Sequence, residues 1–204
     1  MLSAEDIVEL HDGLTESWHG DAGVADGEEK TDWLALVAAH HRANFELWHI
    51  EDEARTPGAT DAELADVKRR VDLTNQRRND LAEQLDRALL AWLLPQSLPN
   101  CEAPLQSESP GLIVDRLSIL ALKIYHTREE AQRAGAPEGH GERNRERLGI
   151  LEEQRADLAQ CLDSLWRETL TGTRRFKLYR QLKMYNDPSL NPAVYLKLGQ
   201  EPGS

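Results

Sequence analysis

Four patterns in this chain place reactive or charged side chains at spacings that could do chemistry. Glu46-Leu47-Trp48-His49 has the Glu-x-x-His spacing by which helices hold a pair of iron ions. That chemistry needs the motif twice, with two further glutamates. The matching run, Lys123-Ile124-Tyr125-His126, carries lysine where the acid is required. His40 and His41 are adjacent, so on a helix they point apart and form no two-histidine clamp. Neither feature of this first, histidine-bearing pattern leads to an expected metal.

The second pattern is a pair of stripes. Leu34, Val37, His41, Asn44, Trp48, Asp52 and Arg55 step by three or four, and so do Val67, Val71, Asn75, Arg78 and Ala82. Both turn from apolar to polar along their length. Facing one another, they would make a dry core at one end and a polar pocket at the other. Its candidate residues are His49, Asp52, Arg55, Asn75, Arg78 and Asn79. The same residue types also suit a buried hydrogen-bonded network between helices. The third pattern is Ser109-Pro110-Gly111 followed by Asp115, Arg116 and Lys123. A helix N-terminus with nearby cations suits a phosphate or carboxylate, and an ordinary cap with surface ion pairs reads the same way. The fourth is a basic tail in which Arg174, Arg175, Lys177, Arg180 and Lys183 alternate with Phe176, Tyr179 and Tyr185. It predicts a helix over about 174–186 that buries its rings and carries Arg180 or Lys183 toward the polar cluster. No Ser-His-Asp order, phosphate-binding loop or G-x-G-x-x-G run is present.

The elements that must position these residues are helices. Start and stop signals place them at about 3–18, 31–55, 60–94, 109–134, 142–170 and 174–186. Thr60-Asp61-Ala62-Glu63 has capping-box spacing, and Ser109-Pro110 is an N-cap followed by proline at the first helical position. Residues 95–108 carry three prolines and read as a crossover loop. No strand is expected. The halves also align without a gap at an offset of 77, with 12 identities over residues 44–86, including His49 with His126, Gly58 with Gly135 and Arg78 with Arg155. The expected fold is therefore all-α: a bundle of four long helices from two duplicated αα-hairpins, about 31–94 and 109–170. A short N-terminal helix and the basic C-terminal helix and tail, 171–204, complete one helical domain over 1–204.

Net charge is −12 over 204 residues, unevenly spread. Residues 1–66 carry −14, residues 67–170 carry −2, and residues 171–204 carry +4. The acidic front repels nucleic-acid backbones, which argues against a nucleic-acid partner. The longest apolar run, residues 88–94, is far too short to span a bilayer. Two distant cysteines, Cys101 and Cys161, make no disulfide framework, so a reducing cytoplasm is the expected location.

The run Leu47-Trp48-His49-Ile50-Glu51-Asp52-Glu53-Ala54-Arg55 resembles the "domain of unknown function 4254" family. So do Asn75-Gln76-Arg77-Arg78-Asn79-Asp80, the stretch from Asp115 to His126, and Phe176 to Pro188. The resemblance covers roughly 35–195. It implies an all-helical protein of bacterial origin and brings no established activity. Glu83-x-x-Asp86 is similar to half of the magnesium site of MazG-type nucleotide pyrophosphohydrolases, but the upstream helix lacks their Glu-x-x-Glu partner.

The leading expectation is binding of a small anionic, phosphorylated metabolite in a polar pocket near one end of the bundle. His49, Asp52, Arg55, Asn75, Arg78 and Asn79 would come from the first hairpin, Arg116, Lys123 and His126 from the second, and Arg180 and Lys183 from the tail. No cofactor is expected. Mg²⁺ enters only with a pyrophosphohydrolase reading. The other alternative is a non-catalytic interaction or self-association module. Nothing in the residues marks a catalytic set.

Overall fold

The computed structural model describes residues 3–20, 32–180 and 189–192, and the description below concerns these. Five α-helices carry the fold: α1 (Ala4–His19), α2 (Asp32–Glu53), α3 (Asp61–Leu93), α4 (Pro110–Gln132) and α5 (His140–Leu170). There is no β-strand among them. A single 3-10 turn, Leu94–Gln96, follows α3.

Each boundary has a local cause. The Ser3 hydroxyl accepts from Asp6 N and starts α1. Thr60 and Glu63 form the reciprocal capping box of α3. Ser109 caps α4 with Pro110 at its first position. The α2–α3 turn needs a left-handed residue, which Gly58 supplies at φ 84°, and Gly135 does the same between α4 and α5 at φ 74°.

Helix α4 is the centre of the packing and touches all four others, whereas the α5 backbone approaches neither α2 nor α3 and meets α3 where Trp166 lies against Trp92, ring centroids 5.7 Å apart. Ile113, Val114, Leu117 and Leu122 of α4 are buried with Val37, Leu85, Leu93, Leu162, Leu165 and Ile7. Each such side chain contributes roughly 1.5–3 kcal/mol on leaving water. The α3–α4 crossing is close at Gly111, where a Cβ would sit 2.4 Å from the Ala82 carbonyl oxygen. Asp86 fixes this crossing, since its buried carboxylate accepts from Ser109 Oγ and from Gly111 N at 2.7 Å. No described helix is long and apolar enough to cross a membrane.

The tail differs from the helix predicted over 174–186. Residues 174–180 form no helix, and residues 181–186 lie outside the described set. Arg175 N donates to Pro104 O at 3.0 Å, and Gln106 N donates to Arg175 O at 2.7 Å. The backbone thus pairs with the crossover loop. Phe176 is buried in the core while Tyr179 is 45% exposed. One ring reaching inward overrode the helical reading of the alternating pattern.

Candidate functional site

Helices α1, α2, α3 and α4 enclose a polar network in the middle of the fold. His41 is fully buried. Its Nε2 lies 2.9 Å from Thr15 Oγ1 on α1, and its Nδ1 lies 2.7 Å from Ser118 Oγ on α4. Asn44 Nδ2 donates to Ser118 Oγ at 3.0 Å and to Asp115 Oδ1 at 3.1 Å. Arg78 of α3 holds the same carboxylate with two groups, Nε to Oδ1 at 2.6 Å and Nη2 to Oδ2. His40 Nε2 lies 3.0 Å from Asp115 Oδ1. Burial alone would raise the Asp115 carboxyl, but Arg78 and His40 outweigh it and hold the group well below the usual carboxylate range. His41 is lowered to about 3, by burial first and then by His40. His11 stacks on His41 with ring centroids 4.4 Å apart, and burial pushes it well below the usual histidine value.

Two features open from this network toward the surface. The first is a cleft of about 320 Å³ between α2, α3 and α4. Leu47, Trp48, Ile119 and Leu122 give it apolar walls, and Asn44, Glu51, Asp52, Arg55 and Arg78 give it polar ones. Arg55 is exposed; its Nη1 donates to the Glu51 carbonyl oxygen at 2.5 Å, and its pairs with the Glu51 and Asp52 carboxylates are loose, at 3.5 Å and 3.8 Å. Exposed pairs of this kind contribute roughly 0–1 kcal/mol and yield readily to a ligand. Arg78 is different. Asp115 fixes its Nε and Nη2, which leaves Nη1 without a partner among the described residues.

The second feature is a group of three imidazoles on three helices. One ring nitrogen each from His19, His49 and His126 lies within 4.8 Å of the others. Among the described residues no other group of three or more His, Cys, Asp or Glu side chains converges this closely. His19 Nδ1 lies 2.8 Å from Thr15 O, and His126 Nδ1 lies 3.0 Å from Glu129 Oε2. The Nε2 atoms of both rings are buried without a partner among the described residues. Aromatic rings wall the group: His19 stacks on Tyr125 at 4.2 Å, His126 stacks on Trp48 at 4.8 Å, and His49 meets Phe45 edge-on at 4.5 Å. His49 is lowered by burial and then by the other two rings; His126 is lowered by burial, with Glu129 opposing. Trp48 also lines the cleft, so one indole separates the two features.

The residues singled out from sequence therefore divide. Asp52, Arg55 and Arg78 share the cleft, and His49 and His126 share the imidazole group. Arg116 and Lys123 face a different cleft, of about 530 Å³ between α4 and α5, where Arg116 pairs with Glu108 at 2.9 Å. Asn75 and Asn79 line neither cleft, although Asn79 Nδ2 is buried without a partner among the described residues. Arg180 is exposed on the non-helical segment, and Lys183 lies outside the described residues. Glu46, the acid of the Glu-x-x-His run, is taken by Arg42 at 3.1 Å and Arg77 at 2.6 Å. Asp86, the acid of the magnesium half-motif, caps α4 instead, and burial raises it to about 6. The sequence reading missed His19. Its one signal is the spacing His11, Thr15, His19, a polar stripe at four-residue intervals on α1.

Comparison with known proteins adds one finding. The family model described as "Protein of unknown function (DUF4254)" matches residues 34–178, which take in nearly all of α2, the whole of α3 to α5 and the first part of the tail. Neither the curated proteins nor the solved structures yield a match. With most of its length matched by that model, the chain belongs to the DUF4254 family.

Proposed function

We propose that the chain binds a small organic ligand in the cleft between α2, α3 and α4, and that the ligand carries one anionic group on an apolar body. The observation that supports this reading is Arg78. A carboxylate behind it fixes the guanidinium, and one nitrogen is left over in a cleft shared with Arg55 and Trp48. Such an arginine is pre-organised, so little side-chain freedom is lost when it takes a carboxylate or phosphate. The charge of the lining narrows the ligand. Glu51 and Asp52 face Arg55, and Asp115 already offsets the charge of Arg78, so a polyphosphate would meet more repulsion than attraction. A single carboxylate or phosphate monoester, with an apolar portion against Trp48, Leu47, Ile119 and Leu122, fits both walls.

The test is a thermal-shift series with carboxylates and phosphate monoesters of increasing apolar size. A ligand at 100 times its Kd adds roughly 2.7 kcal/mol, which raises Tm by roughly 5–10 °C in a chain of this length. The rise should vanish in Arg55→Ala and in Ile119→Trp, which fills the cleft. Equal rises in both variants, or none with any compound, would overturn the reading.

We also infer that the two hairpins are duplicates that form a four-helix bundle about a pseudo-twofold axis. Contact between residues 77 positions apart is what an axis between the two copies would produce. His41 meets Ser118 in this way, and His49 meets His126. Asp86 accepts from the N-terminus of α4, and its counterpart Asp163 accepts from Ala4 N of α1 at 2.9 Å. Arg78 grips Asp115 of α4, and its counterpart Arg155 grips Asp12 of α1 at 2.8 Å. Helix α1 thus stands to α5 as α4 stands to α3. A strict twofold would place α2 on α5 as α4 lies on α3; α1 takes that place instead, which breaks the symmetry and brings His19 to the pair His49–His126. In an experimental structure residues 44–86 should superpose on 121–163, and a register other than 77 would refute the duplication.

A further inference from the structure

We infer that His19, His49 and His126 form a binding site for one divalent transition-metal ion of the zinc class, distinct from the cleft and separated from it by the Trp48 indole. Three observations carry this. The first is convergence from separate elements. The rings come from the last residue of α1, from α2 and from α4, and one nitrogen of each lies within 4.8 Å of the other two. Three imidazoles on one tetrahedral zinc stand roughly 3.3 Å apart, nitrogen to nitrogen, given bonds of about 2.0–2.1 Å. Each ring need move inward by only about 1 Å, within the reach of small torsional changes.

The second is orientation. A metal-bound imidazole uses its other nitrogen as a hydrogen-bond donor, which fixes the tautomer and turns a lone pair toward the metal. His126 Nδ1 faces Glu129 Oε2 at 3.0 Å and His19 Nδ1 faces Thr15 O at 2.8 Å. A carbonyl oxygen only accepts, so the proton of the His19 ring sits on Nδ1 and its Nε2 carries the lone pair. The third is what remains. Nε2 of His19 and of His126 are buried and have no partner among the described residues. Buried polar nitrogens ordinarily find one. A ring chosen for packing alone would be Phe or Leu, with no such nitrogen to desolvate.

Softness and charge select the ion. Neutral imidazoles suit zinc, copper, nickel and iron(II) better than magnesium or calcium, which take oxygen ligands. Asp52 and Glu129 stand nearby and favour a dication over an anion. Three protein ligands leave a fourth position for water or an outside ligand, the arrangement of catalytic rather than structural zinc. Glu129 is a positioning residue that acts through His126.

The test uses the full chain, stripped with a chelator and titrated with Zn²⁺ by calorimetry, then with Co²⁺, whose visible absorption reports tetrahedral nitrogen coordination. One equivalent of Zn²⁺ should bind with micromolar or tighter affinity. His49→Phe keeps the ring against Phe45 but removes its nitrogens, and His19→Phe does the same against Tyr125. Each should weaken binding at least 100-fold and abolish the cobalt bands. Glu129→Gln should weaken it roughly 10–100-fold. His140→Ala, at a part-buried histidine outside the group, should leave binding unchanged. Arg55→Ala should leave zinc binding intact, so failure of the cleft proposal and failure of the metal site are separable. No stoichiometric zinc in the wild type, or equal affinity in folded His49→Phe, would overturn the inference.

Discussion

Acid should destabilise this protein through His41, by an amount the structure fixes. The ring is buried, with its two nitrogens 2.7 Å and 2.9 Å from the Ser118 and Thr15 hydroxyls, and a second buried imidazole, His11, is stacked on it. Protonation would place a charge there, so the folded-state value falls to about 3 from the ordinary 6.5. Between those values the unfolded chain binds the proton and the folded chain does not. The stabilising contribution is therefore full above pH 6.5 and is lost progressively as pH falls. From pH 7 the loss is about 2 kcal/mol by pH 5 and about 3 kcal/mol by pH 4. His11 is lowered as well and adds with the same sign. Asp86 opposes them. Its value is raised to about 6, so the folded chain binds its proton first and gains about 1 kcal/mol between pH 7 and pH 5. The perturbation is His41→Gln, which keeps hydrogen-bonding capacity and removes the titrating ring. Urea unfolding followed by circular dichroism at pH 7 and pH 5 gives the two losses. The variant starts less stable at pH 7, but its further loss by pH 5 should be about 2 kcal/mol smaller than that of the wild type. Equal losses in the two proteins would refute the argument that His41 is held neutral by burial.

Further outcomes follow from packing. Gly111→Ala should destabilise by roughly 1–3 kcal/mol or more, because the added Cβ meets backbone at the Ala82 carbonyl oxygen, which has no rotamer in which to retreat; chemical unfolding measures this. Phe176→Ala should cost about 3–5 kcal/mol, since the ring is 2% exposed, while Tyr179→Ala should change stability by less than about 1 kcal/mol. Equal effects would mean that the tail packs by a different residue. Asp86→Asn should remove the gain on acidification between pH 7 and pH 5, and the same urea titrations detect it.

The helices were legible because their ends are written in local chemistry. Ser3, Thr60 and Ser109 act as caps through their own hydroxyls, and Gly58 and Gly135 take backbone angles that other residues avoid. The cleft was partly legible for the same reason. Asn44, Trp48, Asp52 and Arg55 share one helical face, and periodicity alone puts them together. What periodicity does not carry is which partner a charge meets. Asp115 and Arg78 are 37 positions apart and read as separate features until α3 crosses α4. The tail misled because alternating cations and rings fit an amphipathic helix, whereas Phe176 enters a core assembled from distant elements. His19 was missed because it stands outside the repeat. It meets His49 and His126 only through the packing of α1 against α2 and α4, a tertiary fact with no sequence neighbour.

The cleft is the account's central claim, and chemical-shift mapping of the labelled protein with the best compound from the thermal-shift series tests it most directly. The largest shifts should fall on the Arg55 and Arg78 side chains, the Trp48 indole and the Asn44 amide, with intermolecular contacts from the ligand's apolar portion to Leu47 and Leu122. Shifts centred instead on Arg116, Lys123 and Cys161, which line the cleft between α4 and α5, would contradict it.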